Sequence, residues 1–277
     1  MTDTVFTSYD IQACLYDEDR SRLFRDAIHK TVRPGQIVVD AGSGSGLLGL
    51  FAAQAGAAKV YCLEINQEYV ETIRVNALRN KLQDIVEAVH ADATTYEPPD
   101  GVQFHVIISE VISAGFFYEP QLQILNNLNR FLKRDGAVVP MGMRNVVELI
   151  HAQSDLYGLT FSYDPRFRTL AGDRALSSPR QYLATDFAQP APTSIDTTVK
   201  VTSQSAEAAN AVRISYSIQF GPQLWANTPT EFLMNPQIIF LRDPILLADG
   251  EEYDVRLSYQ AGSSAVDCEL AVAKTPA

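Results

Sequence analysis

The sequence predicts an α/β protein, a doubly wound parallel sheet followed by a barrel-like, all-β unit. Three observations carry this expectation. Strand and helix signals alternate between residues 36 and 139. A glycine-rich turn follows the first strand. Beyond Pro140 only strand signals recur, punctuated by turns such as Asp249-Gly250 and Ala261-Gly262-Ser263.

Each element has its own reason. Residues 36–40 form a buried-strand run ending in Asp40, and Gly42-Ser43-Gly44-Ser45-Gly46 follows it. Residues 47–55 are apolar and rich in helix formers, with Gly56 placed as a C-cap. A second strand is expected at 59–63. Residues 67–80 set Tyr69, Ile73 and Ala77 at i, i+4 and i+8 among polar neighbours, the pattern of a half-buried helix. Strands follow at 85–89 and 104–109. A helix over about 120–133 buries Leu125, Leu128 and Leu132, its solvated end carrying Arg130, Lys133 and Arg134 beside the negative pole of the helix dipole. Residues 137–139 then start another strand. The composition of elements changes at Pro140, which divides the chain into units 1–140 and 141–277. The second unit has strand signals at 145–152, an irregular stretch, and further strands at 211–220, 237–241, 253–259 and 265–272.

Charge and cysteine content narrow the function classes. The 277 residues carry 22 Lys+Arg against 33 Asp+Glu, a net charge of −11, with 46% hydrophobic and 20% charged residues. That is the composition of a folded globular chain. It argues against a broad nucleic-acid footprint, which needs a surplus of cations, and leaves room for a cationic substrate. Apolar runs fall short of the roughly 18 residues of a membrane span, and Met1-Thr2-Asp3-Thr4 has no basic-then-apolar leader pattern. Cys14, Cys62 and Cys268 show no paired spacing, so neither a disulfide framework nor a zinc site is expected, and a cytoplasmic setting is. His29, His90, His105 and His151 are scattered without ligand spacing, so no metal is expected.

Two constellations point to chemistry. A strand that ends in Gly-x-Gly-x-Gly and opens a helix lets backbone amides approach a ligand. Asp40 precedes the loop and Glu64 ends the second strand, where an acid is placed to accept ribose hydroxyls. The lysine of a nucleoside-triphosphate loop is missing. Dehydrogenase and methyltransferase remain; an acid beside the loop repels pyrophosphate but suits the amino group of a methionine moiety. The second constellation is Glu110, at the carboxyl end of the fourth strand, with Glu119 returned towards it by a loop containing Gly115. Paired carboxylates make a clamp for a planar guanidinium, whose fork of donors matches them.

The stretch Val38-Val39-Asp40-Ala41-Gly42-Ser43-Gly44-Ser45-Gly46 resembles the first motif of the class I S-adenosylmethionine-dependent methyltransferases. By that likeness Asp40, Gly42, Gly44, Gly46 and Glu64 bind cofactor, and Asp92 and Ala93 border the adenine. Ser109-Glu110 through Tyr118-Glu119 is similar to the double-glutamate loop of the protein arginine methyltransferases. Val5-Phe6-Thr7-Ser8-Tyr9 looks like that family's N-terminal aromatic motif, and the segment from Asp17 to Ile28 like its helix whose arginine holds the methionine carboxylate. The resemblance implies a Rossmann-like methyltransferase domain with an N-terminal helical segment, followed by the β domain. S-adenosyl-L-methionine is the implied cofactor and a guanidinium-bearing peptide, protein or metabolite the implied substrate. Arg20 is implied as a cofactor ligand, Glu110 and Glu119 as catalytic residues, and Phe6, Tyr9 and Tyr118 as pocket walls. Residues 157–187 stand in the place of a dimerisation arm, which implies a homodimer. The family's Thr-His-Trp loop is not matched; residues 232–237 read Phe-Leu-Met-Asn-Pro-Gln. A methyltransferase for another amine or hydroxyl, and a non-catalytic cofactor-binding protein, are the alternative readings.

Overall fold

The computed structural model describes residues 7–161 and 165–276. Two helices come first. α1 (Ser8–Tyr16) starts at a reciprocal cap between Thr7 and Asp10, and α2 (Glu18–Thr31) starts where the Asp17 carboxylate accepts the Arg20 N–H at 3.0 Å. β1 (Ile37–Ala41), α3 (Leu47–Gln54), β2 (Lys59–Glu64), α4 (Gln67–Arg79), β3 (Val86–His90), β4 (Phe104–Ser109), α5 (Gln121–Leu128) and β5 (Leu132–Val139) follow. The five strands pair in the order β3-β2-β1-β4-β5, all parallel. Sequence order reverses between β1 and β4, so a crevice opens at their carboxyl ends.

The expected helix over 120–133 is shorter than its apolar spacing suggests. α5 stops at Leu128, a single tight turn covers Asn129–Phe131, and Leu132 already pairs with Phe104 of β4. Leu132 fits a helical stripe, but hydrogen bonding along the sheet edge outweighs that local periodicity. Lys133 and Arg134 therefore lie on β5, and do not complement a helix end. In α4 the buried face is Val70, Ile73 and Ala77, with Tyr69 turned to a half-buried position.

Past Pro140 the pairing becomes antiparallel. β6 (Gly142–His151), β7 (Asp155–Leu156), β8 (Leu159–Thr160), β9 (Arg174–Ala175), β10 (Arg180–Asp186), β11 (Ser194–Thr202), β12 (Ala208–Gly221), β13 (Leu224–Ala226), β14 (Gln237–Leu246), β15 (Glu252–Gln260) and β16 (Glu269–Lys274) make up this half. One curled sheet runs β10-β6-β12-β13, with β14 also on β12 and β9 on β6; a second runs β11-β15-β16. The strand expected at 265–272 begins later, because Ser264 caps a tight turn at Ala265–Asp267. Within 157–187, β9 and β10 belong to the sheet, while β8 pairs only with β7, just before this stretch, in a two-stranded hairpin that stands off it. The larger of two apolar clusters spans both halves, and a smaller one groups Ile150, Ala152, Ala211 and Ile238; Phe24 of α2 meets Phe220 of β12 edge-on at 5.0 Å. Among the described residues no helix is long and apolar enough to cross a membrane.

Candidate active site

A pocket of about 560 Å³ lies over the β1–β4 crevice. Gly42 and Gly44 line it from the turn after β1, Glu64 from the end of β2, and Asp92 and Ala93 from the segment after β3. Glu110 follows β4, Glu119 precedes α5, Tyr118 stands beside it, and Arg20 reaches in from α2. Nine of the proposed site residues thus share one cavity. Asp40 and Gly46 do not line it, and Tyr9 projects from α1 at 77% exposure. Phe6 lies outside the described residues.

The glycine turn is set by close approach. A Cβ on Gly42 would stand 2.6 Å from the Val111 side chain, and φ there is +71°, a conformation that favours glycine. Gly46 has φ +82° and abuts Ile73, so its duty is to pack α3 against α4. The Asp40 carboxylate turns away from the cavity to accept the Gly49 N–H of α3 at 2.9 Å. Burial pushes its pKa up to about 7 against those hydrogen bonds. Sequence position alone placed this acid beside the loop; its side chain instead faces the helix. Glu64 binds both sides of the crevice mouth, accepting Gly44 N–H at 2.8 Å and Asn66 N–H at 2.9 Å. Each carboxylate oxygen retains further acceptor capacity. Asp92 accepts the Thr94 N–H at 2.8 Å and the Thr94 hydroxyl at 2.7 Å, which shapes the turn after β3.

The charged centre is a triad. Arg20 forms an ion pair with Glu110, both largely buried, and donates from Nη1 to the Cys14 carbonyl at 3.1 Å. Its Nε is buried with no partner among the described residues. Glu119 is 7% exposed, and its carboxylate has no hydrogen-bond partner among the described residues. Burial, then the nearby Glu110 charge, holds the Glu119 carboxyl well above the usual carboxylate range. Glu110 is also raised by burial, with Arg20 opposing the shift. The Cys14 thiol beside them is pushed up to about 12, again by burial first, so it stays protonated.

Residues outside the motifs hold these groups. Gln121, fully buried at the start of α5, accepts from Ser109 Oγ at 2.9 Å and Val111 N–H at 3.2 Å, fixing the chain on both sides of Glu110. Asp17 accepts the Thr230 hydroxyl at 2.5 Å and the Phe232 N–H at 2.8 Å, which ties the loop before β14 to the start of α2 and so to Arg20. Tyr69 and Gly262 line the pocket although the first read as a core position and the second as a plain turn. A tyrosine one residue before the buried Val70 was the available signal for Tyr69; nothing local marks Gln121, Thr230 or Gly262. Trp225, the single tryptophan, stacks under Arg144 at 3.9 Å, away from the pocket.

Comparison with known proteins identifies the fold that carries this site. Residues 38–136 match a family model described as a methyltransferase domain. Over nearly its whole length the chain superposes on one from the Trypanosoma brucei PRMT1 enzyme–prozyme heterotetrameric complex with AdoHcy. That superposition has a TM-score of 0.79 at 18% identity and covers 96% of this chain and 93% of that one. The fold is that of the protein arginine methyltransferases. In sequence, relatives of 30% identity or more align over about half of the chain. Protein arginine N-methyltransferase 1 of Caenorhabditis elegans is 32% identical over 163 residues, covering 53% of this chain and 47% of that protein. Arginine N(omega)-methyltransferase of Streptomyces achromogenes subsp. streptozoticus is 30% identical over 135 residues, covering 48% and 37%. The chain spans about half the length of the first curated relatives it matches, 53% and 47%.

Proposed function

We propose that the protein is an S-adenosylmethionine-dependent N-methyltransferase that acts on a guanidinium nitrogen, carried by a polypeptide or by a small arginine-like metabolite. One observation carries the reading: a buried carboxylate, Glu119, has no hydrogen-bond partner among the described residues and stands beside an already neutralised Arg20–Glu110 pair. The site is short of one positive charge, and a guanidinium supplies it with donors arranged for two carboxylates.

The residues present suit S-adenosylmethionine. The buried Arg20 Nε has no partner among the described residues and is a donor suited to a carboxylate, and Gly42 keeps the β1 turn open where a side chain would fill it. Arg20 would hold the methionine carboxylate, the Gly42 and Gly44 turn the amino-acid portion, Glu64 the ribose hydroxyls, and Asp92 and Ala93 the adenine edge. When bound, the cofactor supplies an electrophilic methyl group on a sulfonium. The protein's own part is orientation and charge. Glu110 and Glu119 hold the planar cation and draw its charge towards them, leaving the opposite nitrogen richer in electrons. Catalysis then comes chiefly from presenting that nitrogen in line with the methyl group. Glu119 is the better proton acceptor of the pair, because Glu110 already spends an oxygen on Arg20 while burial raises the proton affinity of Glu119. Tyr118 walls the pocket beside it. By resemblance we also propose a homodimer, with residues 157–187, which include β8 of the projecting hairpin, in the place of the arm.

Transfer of labelled methyl to arginine-containing peptides and to free arginine tests the reading. Glu110→Gln and Glu119→Gln are each expected to lower kcat/KM by about 10²–10³-fold while S-adenosylhomocysteine still binds by calorimetry. Unchanged transfer in both variants would overturn the guanidinium assignment and favour another amine or hydroxyl acceptor. Absence of S-adenosylhomocysteine binding to the wild type would leave a non-catalytic role.

A further inference from the structure

We infer that Asn145 is a positioning residue for this reaction: from the β half of the molecule, its side-chain carbonyl fixes the backbone turn that carries Glu119 into the pocket. The inference rests on the proposed methyl transfer for its kinetic part and on geometry alone for its structural part.

The turn between Glu110 and Glu119 has hydrogen bonds of its own, from the Phe116 N–H to the Ser113 carbonyl at 3.0 Å, from the Glu119 N–H to the Phe117 carbonyl at 2.7 Å and from the Ser113 hydroxyl to the Phe117 carbonyl, yet its backbone is strained. Gly115, Phe116 and Tyr118 have φ of +68°, +61° and +66°. Two of these are aromatic residues with a Cβ, for which the left-handed region is unfavourable. Such a run persists only when its surroundings over-determine it. At Gly115 a Cβ would stand 2.7 Å from the Phe117 ring and 3.0 Å from the Tyr182 hydroxyl, so the position is closed to other residues. Four contacts from the β half hold the turn. The Gly115 N–H donates to Asn145 Oδ1 at 2.9 Å. The Tyr118 N–H donates to the Ser263 carbonyl at 2.8 Å, and the Gly262 N–H to the Phe116 carbonyl at 2.7 Å. The Phe117 ring packs on Tyr259 at 4.3 Å, and the Tyr259 hydroxyl meets that of Tyr182 at 3.0 Å.

Asn145 is the member of this set that fold stability does not explain. It sits fully buried on β6 between Leu183 of β10 and Tyr216 of β12, where an apolar side chain is the natural occupant. Its Nδ2 has no hydrogen-bond partner among the described residues. A buried amide left half-satisfied is unfavourable for folding. Its carbonyl, by contrast, meets the one backbone N–H at the centre of the strained turn. The Ser263 and Gly262 contacts run through backbone atoms and survive most substitutions; of the hydrogen bonds from the β half to the turn, the Asn145 one is decided by a side chain.

The test separates a tether from simple packing. Asn145→Leu keeps the branched side-chain shape, with slightly more bulk, and removes the acceptor. Asn145→Asp keeps the acceptor, and burial favours its protonated form. Loosening the turn is expected to lower kcat about 10–100-fold in Asn145→Leu, with the Kd of S-adenosylhomocysteine within about twofold of wild type. Asn145→Asp is expected to restore most of the rate. The acid limb of the kcat/KM profile should move to lower pH in Asn145→Leu, because a hydrated Glu119 loses the burial that raises its pKa. Glu110 after β4, Arg20 on α2, Cys14 on α1 and Tyr216 on β12 are the other charged or titratable groups around that carboxyl, and none is altered. Hydrogen exchange at the Gly115 amide should accelerate in Asn145→Leu and stay slow in Asn145→Asp. If Asn145→Leu fails to fold, Asn145→Ser, too short to reach Gly115, takes its place in the same comparisons. Unchanged kcat and Gly115 protection in the folded acceptor-less variant would overturn the inference, as would an Asn145→Asp no better than it. A wild type that binds S-adenosylhomocysteine but transfers no methyl to any guanidinium would overturn the function proposed above, and Gly115 exchange would still decide the tether.

Discussion

Asp40 buries an ionisable group where charge is poorly solvated, and the consequence is measurable in stability. Its ordinary value is 3.8 and its folded value about 7, raised by burial. The folded protein therefore binds this proton more tightly than the unfolded chain. The associated stability is fully present below about pH 4 and is lost as pH rises through about 7. Asn at this position keeps an oxygen for the Gly49 N–H and cannot ionise. Asp40→Asn is expected to match wild type near pH 4 and to exceed it at pH 8 by on the order of 2–4 kcal/mol, read as a difference in Tm or urea midpoint that widens with pH. A constant difference across that range would show that Asp40 does not titrate in the folded state. Asp40 also marks the limit of reading side-chain direction from sequence. Glu64, Glu110 and Glu119 were legible because an acid at the end of a parallel strand, or returned by a glycine loop, meets the crevice by a local rule. Asp17 with Thr230, or Gly115 with Asn145, were not: these partners lie 213 and 30 residues apart, and no local pattern links them.

At the scale of elements, the sequence located strands and helices of the first half closely because both faces of a parallel sheet impose strong periodicity. β4 spans the expected residues, and β1, β2, β3 and α4 differ from expectation by a residue or so at their ends. The error at α5 and β5 arose where a leucine satisfies helix spacing and sheet pairing equally well, and long-range pairing decided. The β7–β8 hairpin is a different case. It turns at Tyr157 and Gly158, both in the left-handed region, and exposes Tyr157 at 99% and Leu159 at 62%. Apolar side chains on a projecting hairpin are what a homodimer contact would cover. On the proposed homodimer, Tyr157→Ser combined with Leu159→Ser should raise the dimer dissociation constant at least about tenfold, measured by sedimentation equilibrium, with Tm nearly unchanged. A wild type that is monomeric at tens of micromolar would refute the proposal.

At the scale of the whole molecule, the net charge of −11 favours the approach of cations to the protein, while the main apolar core spans both halves. The glutamate turn is built by the parallel half and held by the antiparallel half, and α2 is anchored through Asp17 to the loop before β14. Both halves are therefore required for one geometry, which the sequence, with its change of pattern at Pro140, presents as two separate units. The Arg20–Glu110 ion pair has a consequence of its own. Arg20 is a shared resource: a ligand carboxylate that engages it draws its charge away from Glu110, and Glu110 then attracts a guanidinium more strongly. On the proposed function, the cofactor and acceptor sites are thus thermodynamically linked, and linkage is reciprocal, so each ligand should tighten the other by the same factor. Calorimetric titration of S-adenosylhomocysteine with and without a saturating guanidinium ligand, and of that ligand with and without S-adenosylhomocysteine, should return one common cooperativity factor of about 5–50. A factor of one would mean that Arg20 serves Glu110 alone; a larger one makes this ion pair the element through which each half-filled site prepares the other.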